Sequence, residues 1–271
     1  MEDNRKIIMK LTNTMRRTGY LLSVTTRGIL SYQEDFLIGA LGVLLFHFTN
    51  LAAVYLVFDI AGPSLGWTPE QAVFLMAVSN LRFAIGGVFF WGLFQIPTLI
   101  RDGSFDRILL YPASPFYTLL CKGADPIGLI DIIFLTVALI WSASTFTALS
   151  LILVLQFVLL MIIGLVATFG FTLITISPSF WAVSGNALPD IFRLFWEFQP
   201  YPVKLFPAGI RCILTWIFPV AIAVSIPGSV FFGQMRFWGA LLIVAGISAL
   251  DLILGLLFFR LGLKKYQSVG N

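Results

Sequence analysis

Long apolar runs separated by short polar interruptions dominate the chain. Residues 36–58 carry no charge, 71–100 contain only Arg82, 127–144 have Asp131 near their start, and 149–176 are uncharged. Residues 205–226 are broken by Pro207 and Pro219, and 237–259 contain Asp251. A bilayer core needs about 20 apolar residues of helix. The pattern therefore predicts an all-α, polytopic membrane protein with six transmembrane helices. The fifth run is the least regular, because proline removes a backbone donor and kinks a helix.

Other segments interrupt this rhythm. In residues 4–30, Ile7, Leu11, Met15 and Leu22 recur at nearly helical spacing, with Arg5, Lys6, Lys10, Arg16, Arg17 and Arg27 mostly between them. They read as an N-terminal amphipathic helix on the inner membrane face, held by apolar burial and anionic lipid; a solvated basic leader is the plainer alternative. Residues 1–35 are thus an interfacial segment ahead of a membrane domain over 36–271. The same basic residues interrupt any early apolar core, so no cleavable secretory signal is expected. In 179–204, Phe192, Phe195, Trp196 and Phe198 alternate with Asp190, Arg193 and Glu197. Arg193 and Glu197, four apart, can pair on one helix face. An interfacial helix is expected there rather than a seventh span, since three charges and Pro189 would otherwise enter lipid. Pro227-Gly228 reads as a break, a re-entrant turn on the outer face, and Gly86-Gly87 as a place where another helix comes close.

Only 11% of residues are charged, against about 25% in soluble proteins. Charge placement sets the orientation. With the amino terminus inside, 15 of the 17 Lys and Arg fall in inner segments; Arg236 is outside and Arg82 intramembrane. Basic residues collect on the cytoplasmic side, so both termini are expected there. The same rule accounts for the net charge of +4 without nucleic acid.

Residues 101–116, RDGSFDRILLYPASPF, are too heavily punctuated for a plain turn. Asp102 or Ser104 can cap a short helix with Phe105, Ile108 and Leu109 on one side and Asp106 and Arg107 on the other. Pro112 ends it by disfavouring helix at Tyr111, and Ser114 can cap the next helix with Pro115 at its first position. Such a rigid elbow between two spans suits the transmission of force from a soluble partner. It equally suits a well-capped connector with no partner.

Three stretches occur in order: GSFDRILLYPASPF, then FWEFQPYPVKLFPAGIRCILTWIFPVAIAVSIPG, then RLGLKKYQSVGN. Together, over essentially the whole chain, they resemble the type-2 ATP-binding-cassette (ABC) exporter permeases, in particular a bacterial six-span subfamily of ABC-2 family transporter proteins. One departure is that Tyr32 is followed by Gln33 rather than an arginine. The resemblance implies two paired permease subunits, identical or homologous, in the bacterial cytoplasmic membrane. Each would dock an ATP-hydrolysing subunit on the cytoplasmic side, and substrate would move outward by alternating access. It makes the elbow a coupling helix and puts Arg101, Asp102, Gly103, Ser104, Phe105, Asp106, Arg107, Ile108 and Leu109 at the ATPase contact. It also places the N-terminal helix near the ATPase and two short re-entrant helices around IPGSVFFG. ATP and Mg would belong to the partner ATPase, with no cofactor in this chain.

The residues themselves offer little chemistry. The chain lacks a GxxxxGK[ST] phosphate loop, so energy comes from another chain or an ion gradient. Cys121 and Cys212 are far apart and read as free thiols. With one histidine in the chain, they make no metal site. His47 has no carboxylate one helical turn away and reads as a hydrogen-bonded packing residue rather than a base. Arg82 and Asp251 lie about 16 and 21 Å from the outer ends of their helices and are expected to pair, within or between subunits, because intramembrane charge seeks a partner. Asp131 can reach headgroups or water. His47, Asn50, Ser79, Asn80 and Arg82, with Asp251, are the polar candidates for a substrate path, few enough to suggest an amphipathic or apolar cargo. Two other classes remain open. A gradient-driven secondary transporter would carry internal repeats, and an intramembrane lipid-modifying enzyme would need paired catalytic groups near one interface.

Overall fold

The computed structural model describes residues 33–111, 114–122, 128–146, 149–181, 194, 198, 201, 205–218 and 221–267. The expected N-terminal amphipathic helix and the Arg193–Glu197 pair lie outside them. The described helices are Gln33–Leu65 (α1), Pro69–Phe94 (α2), Ile96–Arg101 (α3), Phe105–Leu109 (α4), Pro115–Lys122 (α5), Gly128–Phe146 (α6), Leu151–Ile176 (α7), Ala208–Cys212 (α8), Ile226–Phe231 (α9) and Phe237–Lys265 (α10). No strand occurs among the described residues.

Helix boundaries follow local chemistry. Thr68 opens α2 with a reciprocal capping box: its hydroxyl accepts from the Gln71 amide at 3.3 Å, and its own amide donates to Gln71 Oε1 at 3.2 Å. Pro69 takes the first helical position, where its missing N–H is not needed. Just before it, Gly66 adopts φ +72°, the left-handed conformation that ends α1. Ser150 likewise caps α7, accepting from the Leu153 amide at 3.2 Å.

Five stretches are helical and apolar enough to cross a bilayer: Glu34–Ser64, Pro69–Arg101, Gly128–Phe146, Leu151–Phe180 and Phe237–Lys265. They match the first four and the sixth of the expected spans. The fifth run behaves differently. After α8 the chain forms a π-turn over Ile213–Ile217 and then becomes extended at Phe218, φ −105° and ψ 116°. A proline pushes the residue before it out of the helical region, and Pro219 follows Phe218. A second π-turn, Ala221–Ser225, leads into α9. This second piece is buried, with Ala223, Val224 and Phe231 packed among Phe74 and Leu75 of α2 and Phe157 of α7; the Phe74 and Phe231 rings stack at 4.6 Å. Pro227-Gly228 is not a break. It lies in the first turns of α9, and the reversal comes at Gly233, φ +68°.

The tightest helix contact joins α7 to α10. A Cβ at Gly170 would fall inside the backbone of Asp251 and Leu252, and one at Gly255 would fall on the Gly170 carbonyl. Ser248 of α10 adds a hydrogen bond to the Ile163 carbonyl of α7 at 2.8 Å. Without a hydrophobic driving force between helices in lipid, small residues and such bonds hold spans together. Gly86 and Gly87 make no comparable approach: an added Cβ meets only Phe90 of the same helix at 3.8 Å, or nothing.

Candidate functional site: the elbow and the intramembrane polar groups

The elbow is built from α3, a turn at Asp102–Ser104, α4, and the start of α5. Gly103 supplies φ +67°, which lets the chain turn sharply between two helices. Neither predicted cap of α4 forms. Ser104 is itself helical in conformation and makes no capping bond. Its hydroxyl instead accepts from the Arg107 guanidinium at 3.0 Å, while Asp102 pairs with Arg101 at 3.1 Å. Ser114 does cap α5, accepting from the Tyr117 amide at 3.2 Å, with Pro115 next to it.

Phe105 and Ile108 are buried as expected, but Leu109 is 41% exposed and belongs to the outer side. The Phe105 ring meets Tyr266 at 5.0 Å and Phe180 at 5.5 Å, both edge-on. Phe180 in turn meets Phe259 at 5.5 Å, and Phe116 meets both Phe259 and Phe169 at 5.7 Å. This aromatic cluster seats α4 on the adjoining ends of α7 and α10. Gly262 matters here, since a Cβ there would strike the Phe180 ring. Beside the cluster, the Tyr266 hydroxyl donates to Asp106 Oδ1 at 2.9 Å. Arg101, Asp102, Arg107, Leu110 and Tyr111 face outward, with Leu110 84% exposed. A cavity of about 300 Å³ lies behind them, lined by Gln95, Leu99, Ser104, Arg107, Ile108 and Tyr111 among others.

Burial, then the hydrogen bond to Asp106 and that residue's charge, push the Tyr266 phenol up to about 12. A raised pKa favours the protonated form in the folded protein. The contribution is therefore fully present below the ordinary phenol value of about 10 and disappears as pH rises through about 12. A difference titration at the phenolate band, wild type minus Tyr266→Phe, is expected to show one phenol ionising near pH 12. A midpoint near 10 would contradict the bond.

The intramembrane groups do not share one cluster of partners. Arg82, fully buried, donates to the Thr168 hydroxyl of α7. Asp251 makes no ion pair with it, and Asp251 Oδ2 is buried without a hydrogen-bond partner. The expected pairing is thus absent within one chain. Asn50 turns back to the Phe46 carbonyl of its own helix at 2.8 Å. Asn80 is partly buried on α2 and Ser79 is buried beside it. His47 does have a carboxylate partner, from another helix: its Nε2 lies 2.9 Å from Asp131 Oδ1. Sequence spacing along one helix cannot reveal a pair 84 residues apart. The signal available was that two polar groups, each alone in a long apolar run, require partners.

The apolar spans define a multi-pass membrane protein. The family model for "ABC-2 family transporter protein" matches residues 44–270, and the chain belongs to that family. It is a membrane permease component of an ABC transporter, a class of subunit that is typically non-enzymatic. No curated protein and no solved structure matches the chain.

Proposed function

We propose that the chain is the permease of an ATP-driven exporter in a bacterial cytoplasmic membrane, with both termini cytoplasmic. A separate ABC ATPase grips its elbow and drives alternating access across a pair of permease subunits. The observation that carries this reading is the two-sided elbow. Its inner side, Phe105 and Ile108, is packed onto the ends of two spans, while its outer side presents Arg101, Asp102, Arg107, Leu109 and Leu110 to solvent. Helix α4 is attached firmly enough to carry a push from outside to the spans behind it. The lipid-modifying alternative gains little from the His47–Asp131 pair, whose imidazole lies between Phe46 and Phe134 and, among the described residues, hydrogen-bonds only to Asp131.

The test is co-purification from the host membrane of a subunit carrying the GxxxxGK[ST] loop. Leu110→Asp and Arg107→Glu, which leave the buried side intact, are expected to lower its recovery at least tenfold, with Asp251→Asn unchanged. Equal recovery from all three variants, or transport by the chain with no ATPase present, would refute the reading.

A further inference from the structure

We infer that the cavity behind the elbow is a lipid site, holding the headgroup phosphate of one anionic phospholipid on Arg107 at its mouth. The inference is independent of what docks on the elbow and of what powers transport.

The cavity, about 300 Å³, is at the small end of ligand sites. It has room for a headgroup while the acyl chains stay in the bilayer. Its polar lining includes the Arg107 guanidinium, the Ser104 hydroxyl and the Gln95 amide, and Leu99, Ile108 and Leu119 make much of the rest apolar. Among the described residues no carboxylate lines it. The two carboxylates nearest in sequence are engaged elsewhere, Asp102 with Arg101 and Asp106 with Tyr266. Arg107 donates to Ser104 at 3.0 Å and makes no ion pair among the described residues. A guanidinium carries five N–H donors in a planar fork, which suits two phosphate oxygens at once. The bond to Ser104 steadies that fork. The Ser104 hydroxyl, an acceptor in it, keeps its own hydrogen to donate.

Position favours a lipid over a free phosphate. Helix α4 follows directly on the end of the span Pro69–Arg101, so Arg107 stands at headgroup level. Gln95 lies about 9 Å along the helix from Arg101, so the cavity reaches from that level towards the hydrocarbon. A free phosphate gains nothing from Leu99, Ile108 and Leu119, whereas the glycerol end of a phospholipid covers them. Basic pockets between spans at a membrane surface are where anionic headgroups lodge. A lipid held there touches the span through Gln95 and Leu99 and the elbow through Arg107 and Ile108, and so ties the two together.

The test uses the full chain alone, purified in a detergent that strips native lipid, titrated with phosphatidylglycerol and read by native mass spectrometry. The wild type is expected to retain one phosphatidylglycerol, about fivefold more tightly than phosphatidylcholine, whose own cation offsets the phosphate. Arg107→Gln and Gln95→Glu, both at exposed positions, are each expected to weaken retention about tenfold, the first by removing the fork and the second by setting a like charge against the phosphate. Arg101→Gln removes a cation from the same elbow outside the cavity and is expected to change it less than about twofold. Excess inorganic phosphate or glycerol 3-phosphate is expected to leave the lipid bound. Equal weakening by Arg101→Gln and Arg107→Gln would overturn the proposal, reducing it to general surface charge. Displacement by inorganic phosphate would also overturn it, in favour of a free-anion site. So would a folded wild type that retains no phosphatidylglycerol, or holds phosphatidylcholine equally well.

Discussion

Phe105→Ala is expected to free the elbow from the bundle while leaving the spans folded. The ring is fully buried between Phe180 and Tyr266. Truncating a buried phenylalanine costs about 3–5 kcal/mol. The five-residue α4 cannot stand alone, since so short a helix relies on tertiary packing. The loss therefore falls on local opening of this segment. Each 1.4 kcal/mol is about a factor of ten in an equilibrium, so trypsin cleavage after Arg107, which requires the helix to open, should accelerate at least about a hundredfold. Leu109→Ala, on the outer side of the same helix, should change it less than about twofold. Equal cleavage of wild type and Phe105→Ala would show that the aromatic cluster does not hold the elbow.

Gly170→Leu should abolish the folded protein. The atoms an added Cβ would strike are backbone atoms of Asp251 and Leu252, which cannot rotate aside. Carbon atoms pack at about 3.5–4.0 Å, so α7 and α10 would have to separate along their length. That separation would also break the Ser248–Ile163 bond and unseat Phe180 and Tyr266 at the helix ends. Gly246 is the internal control: on the same α10, an added Cβ meets nothing within 4 Å. Monodisperse recovery on size exclusion in mild detergent should fall below about a tenth of wild type for Gly170→Leu, and stay within about twofold of it for Gly246→Leu. Similar recovery of both variants would place the critical contact elsewhere.

The membrane-spanning helices were legible because lipid leaves few solutions: an apolar run of sufficient length must be a helix. Local chemistry was legible where one residue decides, as at Ser114 with Pro115. It was not legible where two partners compete. Ser104 offered a capping hydroxyl, but the Arg107 guanidinium took it. Proline gave a mixed signal, correctly marking irregularity in the fifth run yet wrongly suggesting a break at Pro227, where the first helical turn tolerates it. The intramembrane partners were the hardest to read. His47–Asp131 and Arg82–Thr168 each join separate helices, and a sequence does not say which faces meet. The elbow's location could be read from its charges and prolines. Its anchoring to Tyr266, 160 residues away, could not.

The glycine-lined crossing of α7 and α10 has a kinematic consequence. Two helices whose backbones touch at Gly170 and Gly255 resist shearing past each other and act as one stiff mast, with the elbow stepped against its foot through Phe180 and Tyr266. A load applied there tilts the whole mast instead of bending it. Relative motion is then left to the less extensive joints around it, such as that of α1 on α2.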